Sequence, residues 1–560
     1  MAAPSAIALG FSGLAPEQLR RSLAEFLPKN ATPEERIRAI EAGLQSPLGH
    51  SLRGAMAQWI VNEIVPVERL VPEAYLKWRL PVRDSMIFVV ERLSAARLAP
   101  KLLEQLELPE KTSPEVRLLR LIAKVPGLQK LGQVIGRNQH LRPALRKALA
   151  RLENGIRDVA PEEIRALIQR ELGPRLKTFE LKVSTKILSE ASVSAVVQFR
   201  WRDPESKQRQ RGVFKVLKPH IPAYFAEDMD YLQGLAHYFG DRHRNYGFPA
   251  DLIPDTFKKV RRLLQHEVNF VREQSTLAEA SALYRNVRGV RIPRLIKPFC
   301  TPRITALSEE HGIKVTDAAV RLWPGERARL AERLIEALVA IPLLSAQENA
   351  VFHGDPHAGN LLYDKRTDEL ILIDWALRER LSREQRRHLA LLFLTVSLRD
   401  PVCASREVLA LNQRRIRSTS AQGRLVHQIT GDFLDGLPVR HLPSPVDAMQ
   451  LLERIALKGV KFPGALVMLS KVMFTLDGIL NDIGGLDSGM SLTIARDVAK
   501  HWLQDRKAFQ SPLTMKDWVA LQSSTLLYTA RLWMQCERAI LDRFLPSKAS
   551  APLAATGSSG

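Results

Sequence analysis

Cysteine is scarce in this chain. Cys300, Cys403 and Cys536 are its full complement, each more than a hundred residues from the next, and no CxxC pair occurs. That spacing excludes a disulfide-stapled scaffold, offers no structural zinc site and predicts a reducing compartment. Long hydrophobic runs are also lacking. A membrane span needs roughly 18 apolar residues in sequence, and the best stretch, Gly464 to Leu480, is broken by Lys471 and Asp477. The opening MAAPSAIALGFSGLAPEQLRR has an apolar patch with no basic region ahead of it, so a secretory signal is not expected. No Walker A motif appears, which excludes a P-loop enzyme. A basic region with a zipper, a zinc finger and an RNP-type aromatic pair are missing too, so nucleic acid is not an expected partner. The chain reads as cytoplasmic, with peripheral attachment to a membrane as the other placement.

What is present is the composition of a folded protein. Hydrophobic residues make up 45% of the 560 and charged residues 25%, enough for cores in roughly three or four domains of about 150 residues. Lys and Arg outnumber Asp and Glu by 82 to 60, a net +22. Such an excess points either to an anionic partner or to an arginine-rich solvated surface.

Residues 1 to about 175 carry helical patterning and almost no strand signal. Pro161, Glu162 and Glu163 open a helix whose apolar face is Ile164, Leu167, Ile168 and Leu172, and Gly173-Pro174 is expected to stop it. Ser113 to Val125 repeats the pattern with Val116, Leu119, Leu121 and Ile122. Strands are predicted at 179–183, at 195–201 and, after a polar stretch from Asp203 to Arg211, at 212–217. Helix returns over about 223–285. A second hairpin is predicted from Asn360 to Asp374, turning at Asp364 to Asp368. Beyond 380 the pattern is helical, and the last dozen residues, Ala549 to Gly560, read as disordered.

The strongest chemical signal is His353-Gly-Asp-Pro-His-Ala-Gly-Asn360, followed by Leu370-Ile-Leu-Ile-Asp374-Trp-Ala. An Asp, an Asn five residues on and a second Asp closing the next strand are the working parts of a kinase-type phosphotransfer loop. Asp355 would face the acceptor hydroxyl, orienting it or taking its proton. Asn360 and Asp374 would supply oxygens to magnesium, a hard cation that bridges phosphate oxygens. A hydrolytic metal cluster of His353, Asp355 and His357 is the competing reading. No other His/Asp/Glu cluster completes it, and it leaves Asn360 and Asp374 without a task. His353 itself is read as a buried organiser of the loop rather than a catalyst.

A kinase also needs a strand-borne cation for the nucleotide phosphates, aimed by a helix carboxylate. Lys215 in Val213-Phe-Lys-Val is placed for the first role and Glu273 for the second, with Glu267 as competitor on a different helix face. The usual glycine-rich lid over the phosphates is missing. Its place is taken by Ser189-Glu-Ala-Ser-Val-Ser-Ala195, where Ala191, Ser192 and Ser194 are the candidate nucleotide contacts.

Taken in order, these residues resemble the UbiB/ADCK/AarF family of atypical kinases: Lys130-Leu-Gly-Gln133, the Ala/Ser loop, the strand lysine, the helix from Glu267 through Asn269 to Glu273, and HGDPHAGN. The resemblance covers about residues 115 to 400. It implies an α+β, bilobal protein-kinase-like fold that binds ATP with magnesium. It also implies that Lys130 and Gln133, three apart on one helix face, belong to a lid packed over the active site. Family members act in ubiquinone (coenzyme Q) or related isoprenoid-lipid biosynthesis, by ATPase or lipid-linked kinase activity at membranes. The implied partners are therefore ATP, an isoprenoid lipid or lipid-biosynthesis proteins, and an anionic membrane surface. Several positions depart from the family's pattern. Glu190 in the Ala/Ser loop places a carboxylate near the expected phosphates. Asn269 stands where an acid is usual, Asp374-Trp375-Ala376 replaces DFG, Ala358 replaces a proline, and the C-terminal membrane spans of many relatives are absent. HGDxxxxN followed by I-D-W is also similar to aminoglycoside and choline phosphotransferases. A non-catalytic ATP-binding pseudokinase is a third reading, and joint retention of Lys215, Glu273, Asp355, Asn360 and Asp374 argues against it.

The expected organisation is a helical N-terminal region (1–110), a helical KxGQ extension (111–175), an N-lobe (176–308), a C-lobe core (309–400), a helical C-terminal extension (401–545) and a disordered tail (546–560). The site is expected between the lobes, with residues 304–308 near the adenine. If surface charge replaces the missing spans, the protein co-sediments with anionic vesicles at physiological salt and not with neutral ones. Equal recovery from both would return the +22 to background composition.

Overall fold

The computed structural model describes residues 31–130 and 159–484, apart from 72, 74, 75, 110, 204, 206, 248–251, 414, 415 and 439–442, together with 493 and several positions from 512 to 522. Gln133, Cys536 and the tail from Ala549 lie outside the described residues. The chain divides into two compact units, residues 1–275 with 294–309, and residues 276–293 with 310–560. Each combines helices with its own sheet, as the α+β reading requires.

In the first unit, helices α1 (Pro33–Gln45), α2 (Pro47–Trp59), α3 (Leu76–Arg92), α4 (Ala95–Glu107) and α5 (Pro114–Ile122) precede the sheet. Thr32, Ser46 and Ser113 cap three of them, each followed by the proline that suits a helix's first turn. Their apolar faces meet α7 (Ile221–Tyr246) and α8 (Leu252–Glu267) in a core that includes Ile60, Val89, Leu98, Leu121, Leu232, Phe239 and Leu264.

Helix α6 (Pro161–Thr178) does not stop at Gly173-Pro174. Gly173 takes φ 29°, outside helical values, and the chain kinks there and resumes. The strand expected at 179–183 begins later for a related reason. Leu181 N–H donates to Leu176 O and Glu180 N–H to Lys177 O, so residues 179–181 are spent closing the helix. Strand β1 then runs from Lys182 to Glu190, into the segment read from the sequence as a loop. Only residues 191–193 separate it from β2 (Ser194–Arg202), which pairs with β3 (Arg209–Leu217). The antiparallel order is β1-β2-β3-β5, with β5 at Ile304–Ser308. Alternation sends Ala195, Val197, Phe199 and Trp201 inward. Phe199 stacks on Phe214 at 3.9 Å between centroids, with Phe299 edge-on to both. Gly212 lies opposite Phe199 in register, where an added Cβ would fall 2.5 Å from that ring.

The second unit carries a short sheet in the order β4 (Val290–Arg291), β9, β8, β6 (Ile313–Lys314), and the ribbon of β7 (Asn349–His353) with β10 (Arg378–Ser382). Strands β8 (Leu361–Asp364) and β9 (Glu369–Leu372) form the hairpin expected from the sequence. Beyond the strands lie α10 (Pro324–Ile335), α11 (Arg383–Ser397), α12 (Pro401–Ala410), α13 (Ala421–Asp435), α14 (Pro445–Leu457) and α15 (Gly464–Asp482). Within α10–α15 only α10 precedes β7 in the chain. Among the described residues α15 is the one helix long and apolar enough to cross a membrane, although Lys471 and Asp477 lie within it. It buries Leu466, Leu469, Val472, Met473, Leu476 and Ile479, and packs against β10 and α14. In the basic stretch Arg414-Arg415-Ile416-Arg417, the first two arginines lie outside the described residues.

Arg386 of α11 is fully buried. It donates to the carbonyls of Leu343 (3.4 Å), Ser345 and Gln347, tying down the chain that enters β7. Burial pulls its pKa down to about 10, so it stays charged at neutral pH. Arg386→Leu orphans these carbonyls and should lower unfolding stability by about 3 kcal/mol, read as a lower midpoint in urea. An unchanged midpoint would mean that the loop does not depend on it.

Candidate functional site

The first unit gathers one group of the expected residues. Lys215 stands in β3, opposite Val196 and Thr305 in the two neighbouring strands. Its Nζ lies 2.7 Å from Glu273 Oε1, and the two side chains are 14% and 5% exposed. Phe270 lies beside the ammonium, its ring centroid 5.7 Å away. The helix expected to run through both glutamates is broken. Residue Glu267 ends α8, and α9 (Phe270–Tyr284) starts afresh three residues later. Asn269 explains the break, because its side-chain oxygen accepts from Arg272 N–H at 2.9 Å and its carbonyl from Glu273 N–H. The residue that looked like a lost acid is therefore the cap of the helix that carries Glu273.

Glu267, the competitor, is engaged elsewhere. It pairs with Lys130, and its other oxygen accepts from Ser192 Oγ at 3.4 Å. Lys130 ends the described part of its helix, residues 126–130, whose first turn is fastened from below. Gly127 N–H donates to Asp228 Oδ2 at 3.1 Å, and Asp228 pairs with buried Arg97 at 2.6 Å. Burial pushes the Asp228 carboxyl up, despite the guanidinium beside it.

The Ala/Ser loop is shorter than expected. Ala191 is exposed and its N–H donates to Ser194 O at 2.8 Å, while Ser192 and Ser194 are buried. Glu190 was expected to repel phosphates. Instead its carboxylate is buried and pairs with Lys218 Nζ at 3.2 Å, the two side chains 3% and 1% exposed. Its charge is matched inside the protein. Lys218 was missed by sequence reasoning; the available signal was a cation directly after the apolar run Val216-Leu217.

The second unit gathers the other group. β7 ends at His353, and the loop after it is organised by that imidazole. Nε2 donates to Ile373 O at 3.0 Å, and Nδ1 accepts from Asp355 N–H at 3.2 Å. Burial, the dominant cause, pulls the His353 pKa down, which keeps the ring neutral and preserves the acceptor nitrogen. A histidine lowered in this way contributes stability above its unfolded value of about 6.5, and that stability is lost as pH falls through the lower folded value. Both nitrogens are spent on backbone, so His353 is the expected organiser and has none left for the metal-cluster reading. Trp375, fully buried, packs edge-on against it at 4.8 Å, which accounts for the D-W pattern as core packing.

Asn360 Nδ2 donates to Asp355 O at 3.0 Å, and Ile373 N–H donates to Asn360 O across the hairpin. Asp374 follows directly, exposed and with φ 58°, a left-handed conformation that Asp tolerates better than most residues. Asp355, Asn360 and Asp374 are thus drawn together by one loop and one hairpin. Lys471 of α15, 116 residues away in sequence, places its Nζ 2.8 Å from Asp355 Oδ1. His357 Nε2 stands 4.0 Å from the other carboxylate oxygen. Sequence reasoning noted Lys471 only as an interruption of an apolar run.

This donor set fits magnesium. Asn360 spends its amide nitrogen on the loop, leaving its oxygen as ligand atom, and Asp374 supplies a carboxylate. A magnesium ion held with substrate phosphates needs one or two protein carboxylates and keeps several waters. Consistent with that sparse set, no cluster of three or more His, Cys, Asp or Glu occurs among the described residues.

A family model described as the ABC1 atypical kinase-like domain matches residues 151–406. The chain is 23% identical over 364 residues to Protein ACTIVITY OF BC1 COMPLEX KINASE 7, chloroplastic, of Arabidopsis thaliana, covering 63% of this chain and 50% of that protein. It is 26% identical over 304 residues to a probable protein kinase UbiB of Azotobacter vinelandii, covering 52% and 54%. The chain thus spans about half the length of these curated relatives. Among solved structures, the complex of Rv3197 with erythromycin from Mycobacterium tuberculosis aligns with a TM-score of 0.43 at 13% identity, covering 65% of this chain and 90% of that one.

Removing the buried cation Lys218 takes away the ammonium 3.2 Å from the Glu190 carboxylate. Lys218→Met should cost about 3–5 kcal/mol of stability, and adding Glu190→Gln should restore part of it. Denaturant midpoints of the two variants decide this, and equal midpoints for single and double variants would mean the pair is not coupled.

Proposed function

Because the chain belongs to the UbiB/ABC1 family of atypical kinase-like proteins, at low identity, we propose that it binds ATP with magnesium and catalyses ATP hydrolysis or phosphoryl transfer. The observation that carries this reading is the Lys215–Glu273 pair. A strand ammonium held by a helix carboxylate is the device that kinases use to grip nucleotide phosphates. A cation and an anion this far out of water stabilise a fold little on balance, so a fold alone gives small reason to keep them.

Each side chain has a task in this proposal. Glu273 holds Lys215 extended, so that the ammonium meets the phosphates without first paying to be ordered. Lys130, held by Glu267, anchors the start of the KxGQ segment, with Gln133 further along it. Ala191 and Ser192 of the short loop, with Ser194 at the start of β2, take the glycine-rich position. Asp355 orients the acceptor hydroxyl and takes its proton, while Asn360 and Asp374 would hold magnesium. Bound magnesium would neutralise charge on the phosphate oxygens. The proposed setting is ubiquinone or other isoprenoid-lipid biosynthesis at an anionic membrane surface. It rests on the family resemblance and on the net charge of +22.

The test is turnover of magnesium-ATP by purified protein, with and without lipid vesicles and isoprenoid phenols. Asp374→Asn should lower kcat at least about 100-fold while leaving the fold intact by circular dichroism. Absence of nucleotide binding at millimolar ATP would overturn the proposal. Transfer to amino alcohols or sugars in place of isoprenoid phenols would move the substrate class to that of the small-molecule phosphotransferases.

A further inference from the structure

Lys471 lies beyond Arg406, the last residue matched by the family model, and no motif marks it. It stands in the most apolar long helix described, between Ser470 and Val472, and helix α15 carries it to Asp355 by packing along β10. β10 is in turn paired with β7, the strand that ends just before Asp355. The two ends of this ion pair differ. Asp355 is 15% exposed and fixed by its loop, whereas the Lys471 side chain is 40% exposed on a flexible stem.

A half-exposed ion pair adds little to stability, and a cation on an apolar helix is costly unless it has a use. The pair also conflicts with the role of Asp355. An ammonium held on Asp355 Oδ1 favours the charged carboxylate and so opposes its taking a proton from an acceptor hydroxyl. That conflict ends if the ammonium has another anion to move to.

We propose that Lys471 is a phosphate-binding residue, resting on Asp355 when no nucleotide is bound and moving to the transferring phosphoryl group of ATP when it is. This rests on the ATP-handling reading above and adds the residue that meets the group in transfer. In the step itself, an acceptor hydroxyl (water, for hydrolysis) forms its bond to the terminal phosphorus as the bond to the bridging oxygen breaks. The electron pair of the broken bond leaves with ADP, and the hydroxyl proton passes to Asp355 and then to solvent. Lys471 in its second position offsets the charge of the transferring oxygens and releases the Asp355 carboxylate.

The full chain is compared with Lys471→Met and Lys471→Arg by thermal unfolding, by titration with magnesium-ATP and magnesium-ADP, and by turnover. Lys471→Met should weaken magnesium-ATP about tenfold and leave magnesium-ADP within about twofold, since only ATP carries the group Lys471 meets. Its kcat should fall about 100-fold, and Lys471→Arg should recover most of the preference for ATP. ATP and ADP affinities that shift together, or neither shifting with kcat unchanged, would overturn the assignment of Lys471 alone. If Lys471→Met does not fold, an ATP-to-ADP preference in Lys471→Arg no greater than about twofold counts against it equally. A wild-type chain that binds neither nucleotide overturns the proposed function, and this assignment with it.

Discussion

A charge taken out of water must be matched where it lies, and that constraint orders the chemistry-bearing residues of this protein. Lys215 is matched by Glu273, Lys218 by Glu190, Lys130 by Glu267 and Arg97 by Asp228. Each pair joins separate segments of the chain. Two of them draw on the ends of β1 and β3 and the start of α9, Lys130–Glu267 joins helix 126–130 to the end of α8, and Arg97–Asp228 joins α4 to α7. The same matching explains why the competitor carboxylate does not compete. Glu267 is committed to Lys130 and Ser192, so Lys215 is left to Glu273.

In the second unit the constraint is met by neutrality. His353 is buried, and the nearby carboxylates of Asp355 and Asp374 do not offset the hydration a charged imidazole would lose there. Kept neutral, the ring has one donor and one acceptor, and both are used on backbone. That arrangement fixes both Asp355 and Ile373 to the end of β7. Asn360 closes the loop from inside, and Trp375 fills the space behind the ring. Half-buried Asp355 and exposed Asp374 are carried on this hydrogen-bonded loop and hairpin, which suits chemistry that depends on position.

Much of this was legible from the residues alone. Apolar alternation located β2 and β3, and a polar turn between two apolar runs located the β8–β9 hairpin. The spacing of Asp355, Asn360 and Asp374 carries its chemistry openly, since one loop and one hairpin are enough to unite them. The misreadings have local causes. The strand placed at 179–183 starts only at Lys182, because hydrogen bonds that close α6 take up residues 179–181. Gly173-Pro174 bends that helix because the positive φ of Gly173 lets the chain turn and resume. The long helix drawn through Glu267 and Glu273 is two helices, because the Asn269 side chain caps the second. Propensity and period see neighbours along the chain; a hydrogen bond made a few residues away outweighed them in the first and third cases, and the backbone turn at Gly173 in the second.

By itself, then, the sequence determined which residues could do chemistry and the periods of the elements that carry them, and the resemblance of its motifs implied the α+β class. It could not determine which charge meets which. Lys215 and Glu273 are 58 residues apart, Asp355 and Lys471 116, and Lys130 and Glu267 137. Ion pairing is blind to sequence distance and steep in space, so these partners were chosen only when strands and helices packed. For the same reason Lys471 looked like a flaw in an apolar run. Only the packing of α15 along β10 made it the neighbour of Asp355.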